Sequence, residues 1–390
     1  MGQGGGDFGR ALVLAQGVIP CYTLSALLLY VHIPFCHRVC PYCSFYKHTP
    51  GATPIGGFLD SLAREACQRI PEATVAARTL YLGGGTPSML SPGHLRNLFA
   101  GLRSVVNFEV LEEVTLEANP ATFDAAKAHL FRELGVTRVS LGIQSFDDQV
   151  LATLGREHTA AQARESVAIL RRADIPAVNI DLMFSIPGQS KASWQATLEQ
   201  ALALGPEHIS AYNLSYEEDT AFFESLRRGE MRDDEDHNAE FFHFADDILT
   251  HAGFEHYETS NYARPGQRSS HNCGYWRGED YLGLGPSAVS TMAHVRSKNV
   301  PDTSSYIAQI QAFGHALAES EMLDPEARRL ESIALGLRTA EGISQDLLTA
   351  GALSRAKHLA DAGLLQFAGG RLLLIHRGRA LVDPIAAELV

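Results

Sequence analysis

Short apolar runs alternate with segments of helical period over the first half of the chain. Six runs have the length and composition of buried strands: Leu27 to Ile33, Thr79 to Leu82, Glu113 to Glu117, Arg138 to Ile143, Ala177 to Met183 and His208 to Leu214. The segments between them carry Ala, Leu, Glu and Arg at helical spacing: 58–70, 92–102, 121–134, 160–173 and 192–204. Repeated strand–helix units predict an α/β fold in which a parallel sheet, with helices outside, closes partly into a (β/α)6 TIM-like barrel.

The pattern changes twice after residue 235. A helix is predicted over 236–253 and an extended segment over 254–262, followed by a glycine-rich stretch over 281–286. From Pro325 onward, two helical segments precede two apolar runs joined by Ala368-Gly369-Gly370, which is the order of a winged-helix-like module. We therefore expect four segments: an extension (1–26), the barrel (27–235), a barrel extension (236–324) and a C-terminal winged-helix-like domain (325–390).

Charge and composition narrow the classes of partner. The formal net charge of -13 disfavours nucleic acid or an anionic membrane as the main partner. Winged-helix modules often bind DNA, but the eight Lys and Arg against seven Asp and Glu from Pro325 onward form no basic stripe, so a packing or lid role is expected.

The glycine-rich start predicts that residues 1–26 are a disordered extension. The apolar stretch from Ala11 to Val18 is interrupted by Gly17 and flanked only by Arg10, so it does not match a secretory signal. No apolar run has the length of a membrane span. A cytoplasmic protein is expected.

Polar groups follow the predicted strands at their carboxyl ends. The second strand runs into Gly83-Gly84-Gly85-Thr86, the third into Glu117-Ala118-Asn119-Pro120, the fourth ends at Gln144, and the fifth contains Asp181. Taken alone, each of these residues has an ordinary alternative role as a helix cap or a turn. Because the carboxyl ends of barrel strands form one face, their repetition predicts that they converge on a single site.

Three cysteines, Cys36, Cys40 and Cys43, follow the first strand within eight residues. Three thiolates can hold three irons of a four-iron cluster and leave the fourth without a protein ligand. A zinc site completed by His32, His37 or His48 is an alternative, as are buried free thiols. A disulfide framework fits poorly, since the other cysteines are scattered at Cys21, Cys67 and Cys273.

The Cys-x3-Cys-x2-Cys spacing, with Tyr42 before the last cysteine, resembles the signature of the radical S-adenosylmethionine (SAM) superfamily. The resemblance implies a [4Fe-4S] cluster whose free iron is chelated by SAM and whose electron splits the sulfonium to a 5'-deoxyadenosyl radical. It also implies the residues of the cofactor pocket: Tyr30, Gly84, Gly85, Thr86, Glu117, Gln144, Arg156 and Asp181. No catalytic residue is assigned.

From Tyr30 to the end, the chain resembles the oxygen-independent coproporphyrinogen III oxidase family, and two features favour its heme-chaperone branch. Oxidases carry an additional cysteine two residues after the third cluster ligand, where this chain has Phe45. The segment His271-Asn272-x-x-Tyr275-Trp276 resembles the heme-chaperone motif, which implies heme contact by these four residues, although a histidine and aromatics at this spacing are also ordinary core. The nearest positive charges for porphyrin carboxylates are Arg156, Arg264, Arg268 and Arg277.

The resemblance implies a radical SAM protein that binds heme and delivers it to acceptor proteins, and that lacks coproporphyrinogen oxidase activity. The alternative is the oxidase itself, which decarboxylates the propionates of coproporphyrinogen III to give protoporphyrinogen IX in heme biosynthesis. Membrane-bound acceptors are compatible with this interpretation. The sequence leaves the identity of the acceptor, the heme iron ligand, the cleavage of SAM in function and the oligomeric state undetermined.

Overall fold

The computed structural model describes residues 27–51, 53–70 and 77–390, together with the backbone of 12–14 and 17–19. Strands β1 (Leu12–Leu14) and β2 (Gly17–Ile19) pair antiparallel with each other. The remainder of the predicted disordered extension, residues 1–26, lies outside the described residues and stays a prediction.

A parallel sheet forms the centre of the molecule, as the alternating pattern predicts. Its strands follow chain order: β3 (Leu27–Ile33), β4 (Ala77–Gly84), β5 (Glu113–Ala118), β6 (Arg138–Gln144), β7 (Ala177–Phe184) and β8 (His208–Asn213). The intervening helices are α1 (Ile55–Arg69), α2 (Pro92–Arg103), α3 (Ala125–Glu133), α4 (Asp148–Thr153), α5 (Ala160–Arg172) and α6 (Lys191–Ala203). Single turns of 3-10 helix cover Pro87–Met89 and Phe108–Val110. The predicted partial barrel is confirmed.

Residues 214–324 extend this sheet at both edges. The helices are α7 (Ala221–Arg227), α8 (Glu235–His251), α9 (Ser270–Trp276) and α10 (Thr303–Phe313), and the strands are β9 (Glu255–Glu258), β10 (Asn261–Ala263), β11 (Tyr281–Leu284), β12 (Val289–Met292), β13 (Val295–Asn299) and β14 (Leu317–Met322). The order across the sheet is β14-β13-β12-β11-β3-β4-β5-β6-β7-β8-β10-β9.

Two details here differ from the sequence prediction. The segment 254–262 is a hairpin of two strands with a bulge between Asn261 and Tyr262, not one extended segment. The glycine-rich stretch contains β11, which pairs parallel with β3 and makes a seventh parallel strand. This strand was not predicted because it is only four residues long and contains Gly283, so it lacks the apolar run that is typical of a strand.

The C-terminal segment has its own apolar core around Ile333, Leu337 and Leu372. Its elements are α11 (Pro325–Leu337), β15 (Ile343–Ser344), a 3-10 turn (Gln345–Leu347), α12 (Ala350–Asp361), β16 (Leu365–Ala368), β17 (Arg371–Leu374), α13 (His376–Arg379) and α14 (Val382–Leu389). The three strands form a separate sheet in the order β15-β17-β16, which is the predicted winged-helix-like arrangement. Across the described ranges, every helix falls short of the length and apolarity that crossing a bilayer demands.

The two faces of the barrel strands differ in polarity. Side chains that point outward, such as Leu29, Val31 and Leu116, join the main apolar core with the helices. The inside is polar: on neighbouring strands, Asn179 donates to the hydroxyls of Ser140 (2.7 Å) and Ser210 (2.9 Å), and its amide oxygen contacts His208 Nδ1 at 2.7 Å. The barrel is therefore held together internally by hydrogen bonds between side chains.

Helix α9 closes the end of the barrel where the strands begin. The buried carboxylate of Glu113 accepts hydrogen bonds from the Ser269 hydroxyl (2.9 Å) and from the backbone N–H groups of Ser270 (3.1 Å) and His271 (3.3 Å). Glu113 also forms a 3.0 Å ion pair with Arg138, and these partners hold the pKa of its carboxyl below the usual value although burial opposes this. Gly274 allows α9 to approach β3, because a Cβ there would lie 2.4 Å from a methyl carbon of Leu28.

We predict that Glu113→Ala destabilises the protein by about 3–5 kcal/mol, because it removes the carboxylate that neutralises the buried Arg138 guanidinium and accepts from the first turn of α9. Urea unfolding followed by circular dichroism measures this change. Glu133→Ala is the matched control, since its ion pair with Arg96 is exposed on both sides and its loss should change little. Equal effects of the two substitutions would contradict a structural role for the Glu113 network.

Candidate functional site

The three clustered cysteines lie on the loop between β3 and α1 and are all partly buried. The base of this loop is closed by two backbone hydrogen bonds, from Cys36 N–H to the carbonyl of His48 (3.0 Å) and from His48 N–H to the carbonyl of Pro34 (2.8 Å). The Thr86 hydroxyl donates to Cys36 Sγ at 3.4 Å. The loop is thereby fixed against the carboxyl ends of the first strands.

The chemistry of these donors fits a multi-iron cluster better than a zinc ion. Within the described residues, no three His, Cys, Asp or Glu side chains converge as ligands of one metal ion. A structural zinc site is completed by a fourth Cys or His ligand, whereas a four-iron cluster with one open iron needs only three thiolates. Two of the histidines proposed for zinc are engaged elsewhere: His32 contacts the Tyr30 hydroxyl (2.9 Å) and the carbonyl of Tyr46 (2.8 Å), and His48 contacts Thr303 (2.8 Å) and the carbonyl of Thr49 (2.8 Å).

A cavity of about 410 Å³ opens at the carboxyl ends of the parallel strands. This volume is in the range of small-molecule and cofactor sites. Its walls bring together most of the residues predicted from the sequence: Cys36, Cys40, Cys43, Gly84, Gly85, Thr86, Glu117, Gln144, Arg156 and Asp181. Tyr30 lies deeper in the barrel, with its ring 6.1 Å from that of Tyr81, and is not part of the wall.

The glycine turn after β4 forms one wall with its main chain. Gly84 has φ +103°, and a Cβ there would lie 2.4 Å from the His32 ring, so only glycine fits. The N–H groups of Gly85 and Thr86 donate to the carbonyls of Ile33 (2.8 Å) and Phe35 (2.7 Å). These bonds join the glycine turn to the start of the cysteine loop.

Two buried carboxylates face the cavity, and neither forms a salt bridge among the described residues. Glu117 accepts hydrogen bonds from the Tyr81 hydroxyl (2.8 Å) and the Gly84 N–H (3.1 Å), and Asp181 accepts from Ser140 (2.9 Å) and Asn179 (2.7 Å). Burial raises the pKa of Glu117 to about 7, with the Asp181 charge acting in the same direction. Burial also raises the pKa of Asp181 above its ordinary value. The charge of Arg156 opposes this rise at Asp181, whereas no positive charge in the described part of the chain acts on Glu117, and a cationic ligand would stabilise its ionised form.

Arg156 brings a guanidinium to the cavity wall beside β6. It donates to Asn119 Oδ1 (2.6 Å), to the carbonyl of Gly142 (2.8 Å) and to Cys40 Sγ (3.6 Å). Its buried Nε has no hydrogen-bond partner in the part of the chain that the structure describes. Gln144, next to it on the cavity wall, has φ +68° at an irregularity of the β6–β7 pairing, a backbone strain of the kind found at ligand sites.

Three further residues of this site have no role assigned to them from the sequence, although Asn119 belongs to the predicted strand-end segment. Asn119 bridges Arg156 and the Thr86 hydroxyl, to which it donates at 2.9 Å. Tyr212 lies on the cavity wall at the end of β8, where the rule used for the other strand ends would have found it. Tyr81 precedes the glycine turn, and no local pattern distinguishes it from a core aromatic.

The four residues predicted to contact heme do not line this cavity. They lie on α9, at the opposite end of the barrel. His271 is 1% exposed, its Nδ1 lies 2.7 Å from the Thr79 hydroxyl, and its Nε2 is buried without a partner among the described residues. Asn272, Tyr275 and Trp276 are partly exposed. Ligation of heme iron by His271 would require α9 to move away from the end of the barrel that it closes, which we call the floor. In this conformation only the other three of the four predicted residues are accessible.

Comparisons with known proteins agree with this geometry. The model of the Radical SAM superfamily matches residues 30–201. The heme chaperone HemW of Lactococcus lactis is 36% identical over 80% of this chain and 82% of its own length, and the HemW of Mycobacterium tuberculosis is 35% identical over 93% and 94%. The solved coproporphyrinogen III oxidase HemN of Escherichia coli has a TM-score of 0.81 at 24% identity, covering 94% of this chain and 90% of that chain, which shows a shared fold.

We predict that Cys36→Ala, Cys40→Ala and Cys43→Ala each abolish cluster formation, because three thiolates leave no spare ligand. Iron and sulfide content and the visible absorbance after anaerobic reconstitution measure this. Cys67→Ala and Cys273→Ala are the controls and should load normally; Cys21 lies outside the described residues. Normal four-iron loading of Cys40→Ala would refute the assignment.

A second prediction concerns the pH dependence of SAM binding. Because burial raises the pKa of Glu117 to about 7, its side chain is protonated below that pH when no cation is beside it, and a neighbouring cation favours its ionised form. Affinity should therefore increase as the pH rises through about 7, by up to about tenfold per pH unit below that value for one linked proton. Calorimetry from pH 6 to 8 measures this, and Glu117→Gln should bind more weakly and without this linkage. A pH-dependent profile retained in Glu117→Gln would assign the linkage to another group.

Proposed function

This chain belongs to the HemW family of heme chaperones within the radical SAM superfamily, and on this basis we propose that it binds heme and delivers it to acceptor proteins. The observation that carries the proposal is the similarity to HemW proteins over 80–93% of the chain. The family implies a [4Fe-4S] cluster and SAM as cofactors, and heme as the cargo.

The cavity residues have distinct roles in this proposal. Cys36, Cys40 and Cys43 bind three irons of the cluster, which leaves the fourth iron for SAM. When bound, the reduced cluster supplies the electron with which the sulfonium of SAM can be cleaved. Glu117 holds a proton near neutral pH and releases it when a cation binds beside it. Arg156 has an unused donor for an anionic group of the ligand.

Phe45 supports the chaperone branch. It occupies the position at which the oxidases carry an additional cysteine, and its side chain is 70% exposed at the wall of the cavity. At the rim of the cavity, this large exposed aromatic provides an apolar surface where the oxidases have a further thiolate. The structural similarity to HemN does not discriminate between the branches, because it reports the fold alone.

The outer face of α9 has the chemistry for heme contact. Trp276 shares a small surface depression with Cys273, Arg268 and Arg277. Both arginines are partly exposed, and their ion pairs with Glu341, like that of Arg268 with Glu255, lie at the surface, where such pairs are weak and exchangeable. An aromatic face next to two guanidinium groups suits an apolar macrocycle with carboxylates.

Two of the arginines considered for this role are placed elsewhere. Arg264 stacks on Phe254, with its guanidinium carbon 4.4 Å from the ring centroid, and donates to the carbonyl of Ala252. Arg156 belongs to the cofactor cavity. The proposal therefore assigns the heme carboxylates to Arg268 and Arg277.

The proposal also covers the heme acceptors and the cellular location of the protein. The acceptors are hemoproteins, soluble or membrane-bound, that receive heme from this chain. A cytoplasmic location is supported by the cysteine usage, which is that of a reducing compartment.

We predict that the reconstituted protein binds heme at about one per chain, in keeping with one such motif, and does not convert coproporphyrinogen III when cluster, SAM and reductant are supplied anaerobically. Spectrophotometric titration and chromatography of the porphyrin products measure the two outcomes. Trp276→Ala should weaken heme retention because it removes the ring face. The matched control is Phe313→Ala, which removes an aromatic that is 70% exposed on α10 and should leave heme retention unchanged.

Formation of the decarboxylated product would identify the chain as an oxidase instead. A protein that binds SAM but no heme would contradict the chaperone function and leave the cofactor assignment intact.

A further inference from the structure

The environment of His271 is built of aromatic rings on the inside of the barrel. Its ring stacks on that of Tyr81, with the centroids 5.0 Å apart and an interplanar angle of 27°. Tyr275 packs edge-on against it at 4.8 Å. The Thr79 hydroxyl, 2.7 Å from Nδ1, fixes the rotation of the ring. Burial lowers the pKa of His271 to about 4, so the ring is neutral at physiological pH.

Tyr81 continues this arrangement towards the cofactor cavity. Its ring is stacked with Tyr30 at 6.1 Å as well as with His271, so its orientation is fixed by both neighbours. Its hydroxyl donates to Glu117 Oε1 at 2.8 Å, while Gly84 N–H donates to the other carboxylate oxygen at 3.1 Å. The Glu117 carboxylate is thus oriented by one main-chain donor and by the Tyr81 side chain, which stacks on His271.

We propose that His271 is a positioning residue for the cofactor cavity, because from the floor of the barrel it holds the Tyr81 ring that orients the Glu117 carboxylate. Helix α9 is therefore connected to two sites: its outer face carries Trp276 at the surface, and its inner face supports the cofactor cavity through Tyr81. The proposal rests on the assignment of the cavity to SAM and gives His271 a role other than iron ligation.

The contacts from Glu113 to the first turn of α9 hold this helix, and with it the His271 ring, in the position that supports Tyr81.

Four variants of the cluster-loaded protein test this role, with SAM affinity measured by calorimetry from pH 6 to 8. His271→Ala removes the ring, and we expect affinity to fall about tenfold, the lower end of what the loss of an outer-shell partner costs. The midpoint of the pH dependence should also shift upward, because the Tyr81 hydrogen bond favours the ionised carboxylate. Tyr81→Phe removes that bond directly and should shift the midpoint in the same direction.

His271→Phe separates positioning from ligation. Phenylalanine keeps a ring against Tyr81 but has no nitrogen for iron, so SAM affinity and the pH midpoint should stay close to those of the unmodified protein. His256→Ala is the matched control for general destabilisation: His256 is also buried and stacked on a tyrosine, Tyr262, at 4.2 Å, outside the barrel interior. It should leave the pH midpoint unchanged.

Two results would overturn the proposal: an unchanged midpoint and affinity in His271→Ala, or a His271→Phe variant that behaves like His271→Ala. Circular dichroism and iron content confirm that each variant is folded and loaded. Heme titration of the same samples is read separately, so that a failure of the heme function is not mistaken for a failure of the positioning role.

Discussion

Polar side chains fill the inside of this barrel, and each buried donor or acceptor needs a partner there. At the end where the strands begin, Glu113 meets this constraint by binding Arg138 and the first turn of α9. The helix thereby becomes the floor of the barrel. The position of α9, the stacking of His271 and the orientation of Tyr81 all depend on this one buried carboxylate.

The same constraint is met only in part at the other end. Among the described residues, Glu117 and Asp181 have hydrogen-bond donors but no salt bridge, and Arg156 has an unused Nε. Unsatisfied polar groups in a partly buried cavity are unfavourable, and a ligand with a cation and an anionic group can satisfy them. The floor is closed by Glu113 and its partners, whereas the mouth has the chemistry to be completed by a ligand.

The sequence prediction was correct for features formed by residues that are close in the chain, or by the repeated strand–helix unit. The three cysteines are close in sequence, so their common loop was visible directly. The glycine turn, Glu117, Gln144 and Asp181 could be gathered into one cavity because parallel strands present their carboxyl ends on one face. The strand β11 was not predicted because it is short and contains glycine. It is a strand because its backbone pairs with the edge of β3.

Local spacing and a repeated pattern were enough to predict the partial barrel, the cluster loop, most of the cavity lining and the family. The location of His271 became visible only in the folded molecule. Its partner Thr79 is 192 residues away and Glu113, which anchors its backbone, is 158 residues away. A local motif shows that a histidine stands beside two aromatics, but it does not show which distant groups enclose the ring. Burial and contact between residues far apart in the chain are properties of the folded molecule, and they place this histidine under the cofactor cavity instead of at the surface.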